Sequence, residues 1–280
     1  MLSGNGKRSS VISLVDGRPK MAPWRHSIGT FEAMDRVTSK FGEYVIAQSP
    51  KHGQAAEFVK MIQQCDIALV VQLSPQKDTS FGWFEGRVGS KKKLRGRYLI
   101  ETVSITEHAT SSHYELQIST ILPEEKSYER TVYAVYYHRW QEFSTENSRC
   151  VGQILRDIFT ILQRSKANGH APILVHGGGA RNSASFVLLS MVCRQLRQNG
   201  ASTLCACIDL VRKYKSVITK DFDQFCSVLH GILQFAVDDD IVQKNNKSYQ
   251  QAFKLVHECT SLHPLPIVPI TKSENTVVFL

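Results

Sequence analysis

Apolar side chains recur every three or four residues in four segments of the chain, a spacing that predicts amphipathic helices. The first segment, residues 54–64, places Phe58, Met61 and Ile62 on one face. The three later segments carry longer stripes: Val151, Ile154, Leu155, Ile158 and Leu162; Phe186, Leu189, Cys193 and Leu196; and Phe222, Cys226, Leu229 and Leu233. The stripes mark the helix faces that we expect to be buried.

The middle of the chain has a different pattern, which predicts strands. Residues 98–107, 114–122 and 130–139 are rich in Tyr, Ile, Thr and Val and alternate in part between apolar and polar positions, as antiparallel strands do. Apolar runs at residues 67–73 and just before His176 suit buried strands. Strands followed by helices around a buried strand favour a mixed α/β (α+β) domain, with a twisted mixed central sheet flanked by helices.

Composition divides the chain into three parts. Residues 1–40 are rich in Gly, Ser, Arg and Pro without periodicity, which predicts a loosely ordered arm. Residues 41–260 form the expected domain, and 280 residues with 42% hydrophobic content suffice for one sizeable core. Residues 261–280 form a Pro-containing tail with an apolar end, expected to pack on its own domain or to be captured by a strand-addition domain.

The net charge of +9 is concentrated in one stretch, residues 87–97, which we call the basic segment. It is either a solvated hairpin between two strands or a docking patch for an acidic protein, a phosphopeptide or an anionic lipid surface. It lacks the interleaved aromatic residues of a nucleic-acid site, so we expect no nucleic acid as partner. Its six basic residues are Arg87, Lys91, Lys92, Lys93, Arg95 and Arg97.

Cysteine usage and hydropathy predict a cytoplasmic protein. The seven cysteines form no CxxC pair and have no metal-ligand spacing, which suggests reduced thiols, no metal site and no cofactor. The apolar runs are far shorter than the roughly 20 residues that span a membrane. The first residues have no apolar core of a signal peptide, so we expect no secretory signal.

The candidate chemistry lies at residues 171–188, where an apolar run ends at His176, three glycines follow and a helical pattern begins after Ala184. A strand, a glycine-rich loop and a helix start together form an arrangement in which backbone N–H groups hold a phosphate. The sequence therefore predicts a loop built to cradle an anion.

This stretch resembles the signature of the classical protein tyrosine phosphatases: Val-His, then Cys, five residues, Arg, Ser or Thr, and Gly. In that family the Cys is the thiolate nucleophile and the Arg binds the phosphate in bidentate fashion. Counting forward from His176 places Gly177 at the Cys position and Ser183 at the Arg position. Counting back from Phe186 places His176 and Asn182 there instead. Neither register supplies the two functional residues.

Other segments resemble family landmarks in the right order, so the resemblance covers residues 42–235. At functional positions the chain departs from the family pattern. The loop that begins at Trp140 has Glu142 where the family has its general acid, Asp. Ile218 stands where a Gln would orient the attacking water, and a weak match near residue 9 places Ser9 at the Tyr that stacks on phosphotyrosine. The matching landmarks are residues 44–50, 57–62, 67–73 and 130–140.

The resemblance implies a pseudophosphatase similar to the divergent phosphatase-like domains of nematodes, some of which resemble inactive adaptors that dock onto kinases. The expected partner is a protein, either a kinase or a tyrosine-phosphorylated protein. One binding mode uses the vestigial loop, with Arg181 either turned towards an anion or pointing to solvent; the other uses a separate surface. The expected loop contacts are Gly177, Gly178, Gly179, Ala180 and Arg181, with Trp140.

Two alternatives stay open. A residual phosphatase would use Glu142 as acid and His176 or Ser183 as nucleophile, although a serine needs a base and an activated water to release its ester. A structural assembly subunit would use the basic segment alone.

Cys193, on an apolar stripe, is expected to be a buried core thiol.

Overall fold

The computed structural model describes residues 14–15, 18–19, 35–39, 42–51, 53–73, 82–121, 128–138, 140, 146–164, 171–177, 180–200, 202–213 and 222–262. Most of the predicted arm (residues 1–40) and tail (residues 261–280) lies outside these ranges, so the predicted division of the chain stays a prediction. The site predictions at Ser9, Glu142, Gly178, Gly179 and Ile218 also fall outside the described residues.

Eight strands form one mixed sheet in the order β3-β4-β10-β5-β9-β8-β7-β6. The four central strands, β4, β10, β5 and β9, run parallel, and the pairs outside them are antiparallel. The strands are β1 (Leu14–Val15) and β2 (Arg18–Pro19), which pair apart from the sheet, then β3 (Asp35–Ser39), β4 (Gly42–Ile46), β5 (Leu69–Leu73), β6 (Lys91–Leu94), β7 (Tyr98–Glu107), β8 (Ser111–Thr120), β9 (Tyr128–Tyr137) and β10 (Ile173–His176).

Helices cover both faces of the sheet. Side chains of a strand point alternately to its two faces, so Ile173 and Val175 of β10 join one core while Leu174 joins the other. The first core includes residues of α2 to α5, and the second includes the buried face of α1. The helices are α1 (Ala55–Gln64), α2 (Glu146–Arg164), α3 (Ala180–Asn199), α4 (Leu204–Arg212), α5 (Phe222–Asp238) and α6 (Lys247–Leu262).

This architecture confirms the predicted mixed α/β fold with a twisted mixed sheet flanked by helices. Strands β7, β8 and β9 coincide with the three predicted strands to within a few residues. One boundary prediction is wrong: α3 begins at Ala180 and not after Ala184. The reason is local, because Ala is the strongest helix former and neither Gly nor Pro occurs between residues 180 and 199.

Among the described residues, no helix combines the length and the apolar character that crossing a membrane requires.

The central strand β10 should carry a large share of the stability. Leu174 is fully buried, whereas Leu255 of α6 is 62% exposed. We expect Leu174→Ala to lower the free energy of unfolding by about 2–5 kcal/mol, because it removes buried contacts and leaves a cavity. The matched change Leu255→Ala should cost within about 0.5 kcal/mol. Urea unfolding of both variants checks this, and equal losses would contradict the placement of β10.

Candidate functional site

The predicted loop follows the end of β10, between two parallel neighbours. β10 pairs with β4 on one side and with β5 on the other, so the carboxyl ends of all three strands meet at one edge of the sheet. In open α/β sheets, ligands bind outside this edge. The topology therefore places His176 and Gly177 where a site is expected.

Gly177 occupies a position that admits no side chain. Its φ angle is +97°, and a Cβ atom built there would lie 2.1 Å from the carbonyl oxygen of Leu73, the last residue of β5. The obstacle is backbone in a central strand and cannot swing aside as a side chain would. Any residue with a Cβ, including a cysteine, therefore requires the two strand ends to move apart.

Asn182 and Ser183 lie in the first turn of α3 and are buried. The sequence predicted both as loop residues, which is wrong because α3 starts at Ala180. The Ser183 hydroxyl donates a hydrogen bond to the carbonyl oxygen of Gly177 at 3.4 Å. Both candidate replacements for the family's Arg thus point into the structure. The backbone of Ala180 and Arg181 belongs to the same turn, and the direction of the Arg181 side chain stays a prediction.

His176 is a neutral, packed histidine. It is 1% exposed, its ring contacts the ring of Phe58 edge-on with centroids 5.1 Å apart, and its Nδ1 lies 3.1 Å from the hydroxyl of Ser49. Burial lowers the pKa of His176 to about 3 from the ordinary 6.5. Its Nε2 has no hydrogen-bond partner among the described residues. These contacts suit a residue that fixes the strand end to the loop carrying Ser49.

The thiol of Cys193 is fully buried in the first core, as predicted. Burial raises its pKa well above the ordinary value, which keeps the sulfur protonated and unreactive. No cysteine occurs between residues 177 and 192.

Trp140 is also buried, between the rings of Tyr137 and Phe186, with ring centroids 5.7 Å from each. Its predicted contact with a ligand stays a prediction.

A buried arginine on α3 escaped the sequence analysis. Arg194 lies beneath the sheet with its guanidinium 5.7 Å from the ring of Phe159, and a Cβ atom at Gly42 would come within 2.4 Å of its Nη1. Burial raises the pKa of Tyr44, an effect that the charge of Arg194 opposes. The only signal in the sequence is that this charge directly follows a mostly apolar stretch, residues 186–193. Arg194 braces α3 against β4 and does not extend the site at the strand ends.

The basic segment forms the edge of the sheet. β6 and β7 are joined by a three-residue turn in which Arg95 and Gly96 have positive φ angles and the N–H of Arg97 donates to the carbonyl oxygen of Leu94 at 3.0 Å. Arg87, Lys93 and Arg97 are exposed and have no acidic partner among the described residues. The other three cations form ion pairs with N–O distances of 3.0 Å: Lys91 with Glu101, Lys92 with Glu85 and Arg95 with Glu57.

Part of this segment lines a cavity of about 390 Å³. Its walls include Lys51 from the loop after β4, and Ala55 and Ala56 from the first turn of α1. Gln54, which precedes α1, makes no side-chain cap, and Glu57 in the first turn places a carboxylate beside the partial positive charge of the first N–H groups. We call this cavity the basic groove. Its four cations are Lys51, Lys92, Lys93 and Arg95, and two of them, Lys92 and Arg95, are paired with Glu85 and Glu57.

The basic groove and the end of β10 share one loop. Ser49 contacts His176, and the next residue, Pro50, lines the groove. Lys51 joins the cations of β6 only through the fold, because some 40 residues separate them in the sequence. The groove offers concave shape and positive charge, which suit an anionic ligand.

Comparison with known proteins places this architecture in a family. Residues 32–234 match the Protein-tyrosine phosphatase family. Because the match covers more than half of the chain, the chain belongs to that family. The expected family membership is thereby confirmed, and a function related to phosphotyrosine follows for the family as a whole.

Three relatives show the range of similarity. Tyrosine phosphatase H3 of Microplitis demolitor bracovirus (isolate Webb) is 21% identical over 257 residues, covering 87% of this chain and 78% of the viral protein. Tyrosine-protein phosphatase non-receptor type 7 of Rattus norvegicus is 22% identical over 69% of this chain and 52% of its own length. Receptor-type tyrosine-protein phosphatase-like ida-1 of Caenorhabditis elegans is 26% identical over 68% of this chain and 24% of its own length.

The steric limit at Gly177 can be measured against a matched glycine. Gly200 also has a positive φ angle, +67°, but nothing lies within 4 Å of a Cβ atom built there. We expect Gly200→Ala to cost about 1 kcal/mol of unfolding free energy from backbone strain alone. Gly177→Ala should cost roughly 1–3 kcal/mol more, since it adds a collision in a packed interior. Urea unfolding measures both, and equal costs would show that β5 and β10 can separate freely.

The burial of His176 predicts that the free energy of unfolding depends on pH. In the unfolded chain its pKa is about 6.5, so between pH 6.5 and about 3 the unfolded state binds a proton that the folded state does not. Stability due to this residue is therefore present above pH 6.5 and is lost as the pH falls, by up to about 1.4 kcal/mol per pH unit. His176→Gln should flatten the curve of unfolding free energy against pH in this window. Parallel curves for the variant and the wild type would contradict the burial of His176.

Proposed function

We propose that this chain is a tyrosine-phosphatase-like domain that binds a partner protein without hydrolysing phosphotyrosine. The observation that carries the proposal is the close approach of Gly177 to the carbonyl oxygen of Leu73, which leaves no room for a nucleophilic side chain. A thiolate is suited to attack phosphorus because it is ionised near neutral pH and is strongly nucleophilic. Glycine supplies no nucleophilic atom.

The two substitute nucleophiles lack the surroundings that the reaction needs. His176 is neutral, which a nucleophile requires, but it is buried and its ring is packed against Phe58. The hydroxyl of Ser183 is committed to the carbonyl oxygen of Gly177, and a serine needs an adjacent base to attack. These contacts favour binding over a residual phosphatase.

The basic groove is the surface that we propose for the partner. Its four cations outnumber the two carboxylates that pair with them, so the groove is complementary to an acidic or phosphorylated segment of another protein, such as a kinase or a tyrosine-phosphorylated protein. The adaptor role and the cytoplasmic location belong to the same proposal. In the competing binding mode, Arg181 at the start of α3 holds the anion. Mutations distinguish this mode from binding in the basic groove.

The proposal predicts which charge reversals weaken binding. Lys93 lines the groove, is exposed and has no acidic partner among the described residues, so Lys93→Glu should leave the fold intact. We expect it to weaken binding of an acidic phosphotyrosine peptide about tenfold at low salt, because a repulsion replaces an attraction. The matched control Lys244→Glu, at an exposed position before α6, should have little effect, and Arg181→Ala should also have little effect.

Isothermal calorimetry with the phosphorylated and unphosphorylated forms of one peptide provides the measurement, with free phosphate assayed in the same samples. The expected result is binding without phosphate release. Loss of binding in Arg181→Ala with full binding in Lys93→Glu would contradict the groove and favour the loop. Phosphate release that scales with protein concentration would contradict the whole proposal.

A further inference from the structure

Two histidines of the β7–β8 hairpin and an aspartate of α2 meet on the face of the sheet that α2 covers. His108 directly follows the last residue of β7, His113 lies on β8, and Asp157 lies in the middle of α2. One ligand atom from each residue falls within 4.8 Å of the other two. The vestigial loop and the basic groove use none of these residues.

The hairpin register brings the two imidazoles together. His113 is opposite Thr106, and His108 follows two residues later on the same face as Thr106. The N–H of His108 closes the turn by donating to the carbonyl oxygen of Ser111 at 2.7 Å. As a result the two rings lie 4.4 Å apart between centroids.

The carboxylate of Asp157 is oriented towards these rings. The side-chain amide of Gln153, one turn earlier on α2, donates to Oδ1 of Asp157 at 2.8 Å. The other oxygen, Oδ2, lies 3.8 Å from Nε2 of His113; it is buried and has no hydrogen-bond partner among the described residues. A buried carboxylate oxygen without a donor is costly unless a cation faces it.

We propose that His108, His113 and Asp157 bind a divalent transition-metal ion, with Zn²⁺ as the best match. Two imidazoles and one carboxylate are typical zinc ligands, whereas Ca²⁺ and Mg²⁺ require mostly oxygen ligands. Ligand atoms of one tetrahedral zinc ion lie about 3.3 Å apart, so side-chain rotations bring the three atoms into place. His108 is exposed, which leaves the fourth position to water.

Metal binding at this place would have two structural consequences. The Ser111 hydroxyl, 3.1 Å from Nε2 of His113, gives up that contact when the nitrogen becomes a ligand. In exchange the ion joins the β7–β8 hairpin to α2, which are linked here by the 3.8 Å contact between Nε2 of His113 and Oδ2 of Asp157. Gln153 then serves as the outer partner that holds the ligating carboxylate.

The test is a titration of the EDTA-treated chain with Zn²⁺ and, separately, with Co²⁺. We expect one equivalent of zinc to bind and to raise the melting temperature, and Co²⁺ to give the visible absorption of a four-coordinate site without a thiolate band in the near ultraviolet. His108→Ala changes only an exposed turn and should abolish the stoichiometric binding. Gln153→Leu should weaken zinc roughly tenfold or more.

Two controls separate this site from other ligands of the chain. His257→Ala removes an exposed histidine on α6 and should leave zinc affinity unchanged. Cys205→Ser removes an exposed thiol and should also leave it unchanged. Zinc affinity that survives His108→Ala, or that disappears with Cys205→Ser or His257→Ala, would overturn the proposal. The absence of stoichiometric binding to the wild-type chain would do so as well.

Discussion

The contact on which the site depends is the approach of Gly177 to the carbonyl oxygen of Leu73. It exists because β10 and β5 are parallel neighbours in register, with His176 opposite Gln72, so the chain leaving β10 passes directly over the end of β5. The positive φ angle of Gly177 then turns the chain towards α3. The buried His176 directly precedes Gly177, and the hydroxyl of Ser183 in α3 donates to the carbonyl oxygen of Gly177. A side chain at position 177 would disturb all of them together.

Much of the fold could be predicted from the sequence, because its signals are local. The alternation of apolar and polar residues in 98–107 and 114–122 indicates strands with one buried face. The apolar stripes of α2, α3 and α5 indicate helices that pack on a common core. α6 has no such signal, since Val256, 7% exposed, is its one buried apolar residue among those described. The start of α3 differs from the prediction because three glycines suggest a long loop, while no Gly or Pro interrupts the chain from Ala180 to Asn199.

The sites were harder to predict, because they depend on contacts between distant residues. Lys51 reaches the basic segment only because the loop after β4 lies beside β6. The cluster of His108, His113 and Asp157 likewise requires α2 to cross the β7–β8 hairpin, which no spacing in the sequence reveals. The family landmarks did identify the strand, the loop and the helix around His176. Each landmark is a short motif, and both the motifs and their order can be read from the sequence alone. The sequence shows that Gly177 stands where the family has its Cys. Only the structure shows that the carbonyl oxygen of Leu73 excludes a side chain at this position.

The central claim is that the phosphatase fold of this chain supports binding and not phosphoryl transfer. The most direct measurement is a single-turnover experiment, with protein in excess over a phosphotyrosine peptide, quenched in acid and alkali. The account predicts neither a covalent phosphoprotein nor free phosphate above the level of a blank. A phosphorylated histidine or serine, or phosphate formed in proportion to protein and lost in His176→Gln, would show that a residue of this loop attacks phosphorus and would contradict the account.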